Sequence, residues 1–180
     1  ITNAKHPFVV VLGGAKVSDK MGVIEHLLGK VDTILIGGAM AYTFLVASNE
    51  QVGSSVVEHD RIEDAKSLLA AVEESTTTLI LPQDHVCAQH IEKGTPVQIV
   101  KGPIPKDWFG VDIGPEAMST FTDTLKSAQT IVWNGPMGVY ETPPFDIGTR
   151  QIAQAIAEAT ESGAVSIVGG GDSAAAISAF

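Results

Sequence analysis

The chain has 180 residues, of which 44% are hydrophobic and 18% charged, with 11 basic against 21 acidic side chains and a formal net charge of −10. At about 100 to 200 residues per domain this is one folded unit with a sizeable core, and the acidic balance excludes broad electrostatic binding to nucleic acid or to an anionic membrane. The single cysteine, Cys87, cannot close an intrachain disulfide, which suits a reducing compartment.

In chain order, the first apolar run is Phe8–Leu12, far short of the roughly 20 residues that cross a membrane. The segment 1–7 is polar and has no apolar h-region, so no signal peptide is expected at this end. The run leads directly into Gly13-Gly14-Ala15-Lys16-Val17-Ser18-Asp19-Lys20. This is not a P-loop, because the spacing Gly-x-x-x-x-Gly-Lys-Ser/Thr is absent. Lys16 and Lys20 are four apart, one turn if the chain is helical from Val17 onward, so both ammonium groups can face one cleft and supply point charges for a polyphosphate.

A second run, Thr33–Ile36, ends at Gly37-Gly38. Ile62, Ala65, Leu69 and Val72 then follow helical spacing, with Asp60 and Glu63 as a capping box. Runs at 78–81 and 97–100 read as further strands. Between them Asp84, His85, Cys87 and His90 are metal-ligand types, but their spacing fits no metal motif, and the segment reads as a strand leading to a loop with surface histidines. The run 130–133 ends at Asn134-Gly135-Pro136; Ile152, Ala155, Ile156 and Ala159 form another helical stripe; the run 165–168 ends at Gly169-Gly170-Gly171.

Six short runs apolar on both faces, alternating with amphipathic helices, predict a three-layer, Rossmann-like α/β domain over 1–180, its mostly parallel sheet of about six strands flanked by helices. In such a sheet the carboxyl ends of the strands share one rim, where ligands of open α/β sheets bind. Four of these strands finish at glycines, out of 18 in the chain. Glycine lets the backbone approach phosphate oxygens closely, and a following helix N-terminus offers free N–H groups.

The last of these loops, Gly169-Gly170-Gly171-Asp172-Ser173-Ala174, also matches a relaxed Gly-x-Gly-x-x-Gly/Ala dinucleotide fingerprint. An acid in the middle of the loop repels a bare pyrophosphate. Asp172 is accounted for by a divalent cation arriving with phosphates or by an N-cap, two roles that can coexist. There is no Gly-x-Ser-x-Gly elbow, and nothing around Cys87 activates a thiolate. From the residues alone, the readings are a phosphoryl-transfer site, a dinucleotide-binding oxidoreductase domain resting on 169–174, or a catalytically silent nucleotide-binding module.

Five motifs in series add a family resemblance. Gly-Gly-Ala-Lys-Val-Ser-Asp-Lys at 13–20, Ile-Gly-Gly-Ala-Met-Ala-Tyr-Thr-Phe at 36–44, Gly-Val-Asp-Ile-Gly-Pro at 110–115, Ile-Val-Trp-Asn-Gly-Pro-Met-Gly-Val-Tyr-Glu at 131–141 and Val-Gly-Gly-Gly-Asp-Ser at 168–173 resemble, in order and over essentially the whole chain, the C-terminal nucleotide-binding domain of the phosphoglycerate kinase family. The resemblance implies cytosolic glycolysis and reversible phosphoryl transfer between 1,3-bisphosphoglycerate and ADP, with Mg2+, ATP/ADP as substrate and 3-phosphoglycerate as the other product. It implies that Gly37, Gly38, Gly110 and Val111 form the adenine pocket, with Pro136, Gly138 and Val139 nearby and Gly14 and Ala15 beside the nucleotide. Glu141 would take the ribose hydroxyls, Asn134 would lie by ribose and phosphates, and Lys20 would hold the α-phosphate. Lys16 would reach the phosphoryl group in flight, Gly170 and Gly171 would offer it amides, and Asp172, with Ser173 beside it, would hold the metal-nucleotide. Ala39 stands where the family often has a third glycine. The family's basic N-terminal domain, which grips phosphoglycerate, and its last Gly-rich segment have no counterpart here, so the chain is expected to be a monomeric fragment that binds nucleotide and is nearly inactive alone.

Overall fold

The computed structural model describes residues 2–180. Its main sheet comprises β1 (Phe8–Leu12), β2 (Thr33–Ile36), β3 (Thr78–Ile80), β7 (Thr130–Asn134) and β8 (Val165–Gly169), in the order β3-β2-β1-β7-β8. All neighbours are parallel, with Val10 of β1 opposite both Ile34 of β2 and Val132 of β7. Parallel pairing puts every carboxyl end on one rim.

The strictly apolar sequence of β1 follows from its central place. Phe8, Val10 and Leu12 point into a core shared with Ile34, Ile36, Ile24, Phe44 and Leu68. Those residues come from β2 and from helices α1 (Met21–Leu27), α2 (Met40–Ala47) and α3 (Ile62–Glu74). Val9 and Val11 point the other way, toward Phe121, Leu125, Trp133, Ile152 and Ile156, which lie on β7 and on α4 (Pro115–Lys126) and α5 (Ile147–Glu161). A strand alternates its side chains between two faces, so covering both requires helices on both. The three layers expected from the sequence are present.

Three local expectations are corrected. The run at 97–100 does not join the parallel sheet. It forms β5 (Gln98–Lys101), which pairs antiparallel with β4 (Asp84–Ala88), itself antiparallel to β6 (Phe109–Ile113). The parallel sheet therefore has five strands, and a second sheet of order β5-β4-β6 stands beside it. Second, Asp60 and Glu63 form no capping box, because His59–Arg61 is a 3-10 turn and α3 starts one residue later with no side-chain cap. Third, β4 does not present surface histidines: His85 is 3% exposed and Cys87 fully buried, while His90 beyond the strand is exposed.

Polar residues hid β6 and the buried place of β4 in the sequence, and the structure shows why they are tolerated. Asp84 accepts hydrogen bonds from the N–H groups of Glu116 (2.9 Å) and Ala117 (2.8 Å), capping α4 from outside. Asp112 accepts from the N–H of Gly148 (2.7 Å) in the first turn of α5 and from that of Ile113 (2.9 Å). Each acid satisfies helix-terminal donors that would otherwise be orphaned. At the opposite edge β8 pairs, among the described residues, with β7 alone, and Val165 and Ile167 remain 60% and 58% exposed. Among the described residues no helix is long and apolar enough to cross a membrane.

Candidate functional site

The carboxyl rim of the parallel sheet is knitted by main-chain hydrogen bonds between loops that are distant in sequence. Gly13 N–H donates to Asn134 O (2.9 Å), Gly14 N–H to Pro136 O (3.0 Å), Gly38 N–H to Met137 O (3.0 Å) and Met40 N–H to Gly14 O (3.0 Å). Val139 N–H donates to Val111 O (2.9 Å), which draws β6 of the small sheet to the same rim. Backbone pairing of this kind fixes loop positions with little reliance on side chains.

Along this rim run two adjoining chambers. The first, about 220 Å³, is walled by Gly14, Ala15, Gly38, Gly110, Val111, Pro136, Gly138 and Val139, with Glu141 and Asp172 at its edge. The second, about 170 Å³, is walled by Lys16, Lys20, Asn134, Gly170, Gly171 and Ser173. Gly14, Ala15, Pro136 and Asp172 belong to both. The structure thus gathers the residues singled out in the sequence into one continuous cleft, apolar and backbone-lined at one end and charged at the other. Gly37 is the exception: it is buried behind the wall against Met137 and lines neither chamber.

The charged end is built from two turns. After β1 the chain makes a 3-10 turn over Val17–Asp19, anchored by the fully buried Val17, and then enters α1. Lys16, just before the turn, is exposed and has no hydrogen-bond or ion-pair partner among the described residues. Lys20, just after it, is half-buried and donates to Asn134 Oδ1 at 2.7 Å. Desolvation lowers the Lys20 pKa, opposed by the nearby carboxylates of Asp19 and Asp172. Across the chamber, α6 (Gly171–Ala179) is N-capped by Gly170, whose φ of 87° lies in the left-handed region that glycine adopts freely. Asp172 is therefore inside the first turn and not the N-cap; its exposed carboxylate is left to the cleft. The Ser173 hydroxyl is committed instead to the N–H of Gly135 at 2.6 Å.

This donor set fits a hard divalent cation that comes with phosphates. Among the described residues no three His, Cys, Asp or Glu side chains converge on a metal position. Asp172 and Asp19 supply isolated carboxylates beside two lysines. Mg2+ is commonly held in this way, by one or two carboxylates with phosphate oxygens and water completing the shell.

The floor of the apolar chamber was not legible as a site. Tyr42 and Asp112 line it. The Tyr42 hydroxyl lies 3.3 Å from His85 Nδ1, directly beneath Gly110, where a Cβ would collide with it. Burial raises the Tyr42 pKa, lowers that of His85 to about 4, raises that of Cys87 to about 11 and raises that of Asp112 to about 8, the last against the pull of its two backbone donors. The one available signal was a tyrosine within a largely apolar stretch of helix, since a buried hydroxyl needs a partner. Met137 and Tyr140 also line this chamber.

A family model described as phosphoglycerate kinase matches residues 1–180. The phosphoglycerate kinase of Thermosipho africanus is 54% identical over 181 residues, covering 99% of this chain and 45% of that protein. That of Chloroflexus aurantiacus is 51% identical over 178 residues, covering 98% and 44%. The chain thus spans a little under half the length of these curated relatives. A solved phosphoglycerate kinase structure from Coxiella burnetii superposes with a TM-score of 0.95 at 38% identity, covering 99% of this chain and 45% of that one. The Pyrococcus horikoshii structure gives 0.84 at 29% identity, with the same coverage.

Proposed function

The chain belongs to the phosphoglycerate kinase family, and from that premise we propose that it is the C-terminal, nucleotide-binding half of such an enzyme and holds Mg-ADP or Mg-ATP along the cleft. The observation that carries this reading is the continuity of the two chambers through Gly14, Ala15, Pro136 and Asp172. A base lies in the backbone-lined end between Gly38 and Val139, the ribose hydroxyls reach Glu141, and the phosphates extend toward Lys20 and Asn134.

Transfer moves a phosphoryl group between the carboxylate oxygen of 1,3-bisphosphoglycerate and the terminal phosphate of ADP. One P–O bond breaks and another forms, with no protein nucleophile. Catalysis of this kind is positioning plus stabilisation of charge on the transferring oxygens. Lys16, with no partner among the described residues, is the cation available to that group, and the N–H groups of Gly170 and Gly171 at the start of α6 serve it as donors. Lys20 holds the nucleotide and stays put through the reaction, tied to Asn134. Bound Mg2+ would neutralise charge between the phosphates and the Asp172 carboxylate.

Among the described residues no arginine lines either chamber, which supports the reading that phosphoglycerate is gripped by chain outside these 180 residues. Membership of a kinase family supports the phosphoryl-transfer reading over the dinucleotide reading of 169–174. The test is a coupled assay on the full-length protein and on the 180-residue chain. Turnover requiring ADP, Mg2+ and 1,3-bisphosphoglycerate by the former, with none by the latter, is expected; turnover by the short chain at about 1 to 100 per second, an ordinary kinase rate, would misplace the substrate site.

A further inference from the structure

A carboxylate outside the cleft grips the turn that carries Lys16. Glu58 lies in the segment between α2 and the 3-10 turn at 59–61. Its Oε1 accepts from the Ser18 hydroxyl at 2.7 Å and its Oε2 from the Ser18 N–H at 3.1 Å. Burial alone would raise the Glu58 pKa, but the Ser18 hydroxyl and N–H and the Val17 N–H hold it below its ordinary value. The main chain of Glu58 is itself docked, its N–H donating to Thr43 Oγ1 of α2 at 3.1 Å, and Thr43 is buried.

Three residues earlier the same segment holds the other end of the cleft. Ser55 Oγ accepts from the N–H of Gly110 at 3.0 Å, in the wall of the apolar chamber. The Ser54 N–H donates to Trp108 O at 2.9 Å. Segment 55–58 is thus a short strap behind α2 that touches the base wall through Ser55 and the phosphate turn through Glu58.

We propose that Glu58 is a positioning residue for phosphoryl transfer: through Ser18 it fixes the turn that presents Lys16, while Ser55 on the same strap fixes the base wall at Gly110. Val17 pins that turn from the core side and Glu58 pins it from outside. With the main chain held on both sides, the flexible Lys16 side chain projects from a fixed origin, which is what a cation acting on a transferring group requires. The inference rests on the proposed kinase reading.

The test splits the two ends of the strap. In the full-length enzyme, Glu58→Gln should lower kcat roughly 10-fold, the scale of a small misplacement, with KM for Mg-ADP within about twofold, as expected when an interaction acts in the transition state. Ser55→Ala should instead raise KM with kcat nearly kept. Ser18→Ala added to Glu58→Gln should cost little more, because both act through one contact. In the 180-residue chain, amide exchange at Val17 and Ser18 should quicken in Glu58→Gln while that at Gly110 is unchanged. An active wild type with normal kcat in Glu58→Gln, or kcat and KM falling alike in both variants with unchanged exchange at Ser18, would overturn the positioning role alone. A full-length wild type inert toward ADP and 1,3-bisphosphoglycerate would overturn the kinase reading and this role with it.

Discussion

Lys20 Nζ donates to Asn134 Oδ1 at 2.7 Å, joining the turn after β1 to the carboxyl end of β7. The same Asn134 oxygen stands 2.8 Å from where a Cβ on Gly170 would be. One amide therefore links the Lys20 ammonium to the helix start across from it.

Asn134→Ala should release Lys20 and weaken Mg-ADP binding by about 10-fold, in line with roughly 1.5 kcal/mol for a hydrogen bond to a charged group. Calorimetry on the 180-residue chain measures it. Unchanged affinity would mean that Lys20 finds the phosphates without its anchor.

Lys16→Ala should act differently. In the full-length enzyme it should lower kcat by roughly 10²- to 10³-fold, the size of losing one preorganised charge donor, with nucleotide affinity changed far less. A raised KM with normal kcat would assign Lys16 to ground-state binding.

Gly110→Ala tests the floor of the apolar chamber. The added methyl meets the Tyr42 hydroxyl and ring, which are held by packing and by His85. Overpacking of this kind costs about 1 to 3 kcal/mol. Thermal unfolding should show the loss, and Mg-ADP affinity should fall with it.

The extent to which this site could be read in advance divides along chemical lines. Glycines and lysines at strand ends were visible because strand pattern and loop composition change abruptly there: β1 into Gly13 and Lys16, β8 into Gly170 and Asp172. Strand β6, and the burial and antiparallel pairing of β4, were not visible, because Asp84, His85 and Asp112 interrupt the apolar pattern of these strands. The partners that make those residues acceptable, the N-termini of α4 and α5 and the Tyr42 hydroxyl, are contributed by distant parts of the chain. Asp172 was open between cap and cleft ligand until the position of Gly170 decided against the cap. Glu58 carried no local signal, since its partner Ser18 is 40 residues away.

His85 makes acid stability a readout of the same floor. Its folded pKa of about 4 lies below the ordinary 6.5, so the fold favours neutral imidazole, and the stability linked to it is present above about pH 6.5 and lost as pH falls toward 4. A displacement of that size corresponds to about 3 kcal/mol at most. Urea unfolding of wild type and His85→Gln across pH 4 to 7 should show a shallower acid loss in the variant; parallel curves would place the imidazole in water.

The most direct test of the nucleotide-binding assignment is calorimetric titration of the 180-residue chain with Mg-ADP, NAD and 3-phosphoglycerate in turn, with amide shifts followed by NMR. Mg-ADP alone should bind, shifting Gly38, Gly110 and Val139 at one end of the cleft and Lys20 and Gly171 at the other. No binding of Mg-ADP at millimolar concentration, or binding of NAD or 3-phosphoglycerate in its place, would contradict the account.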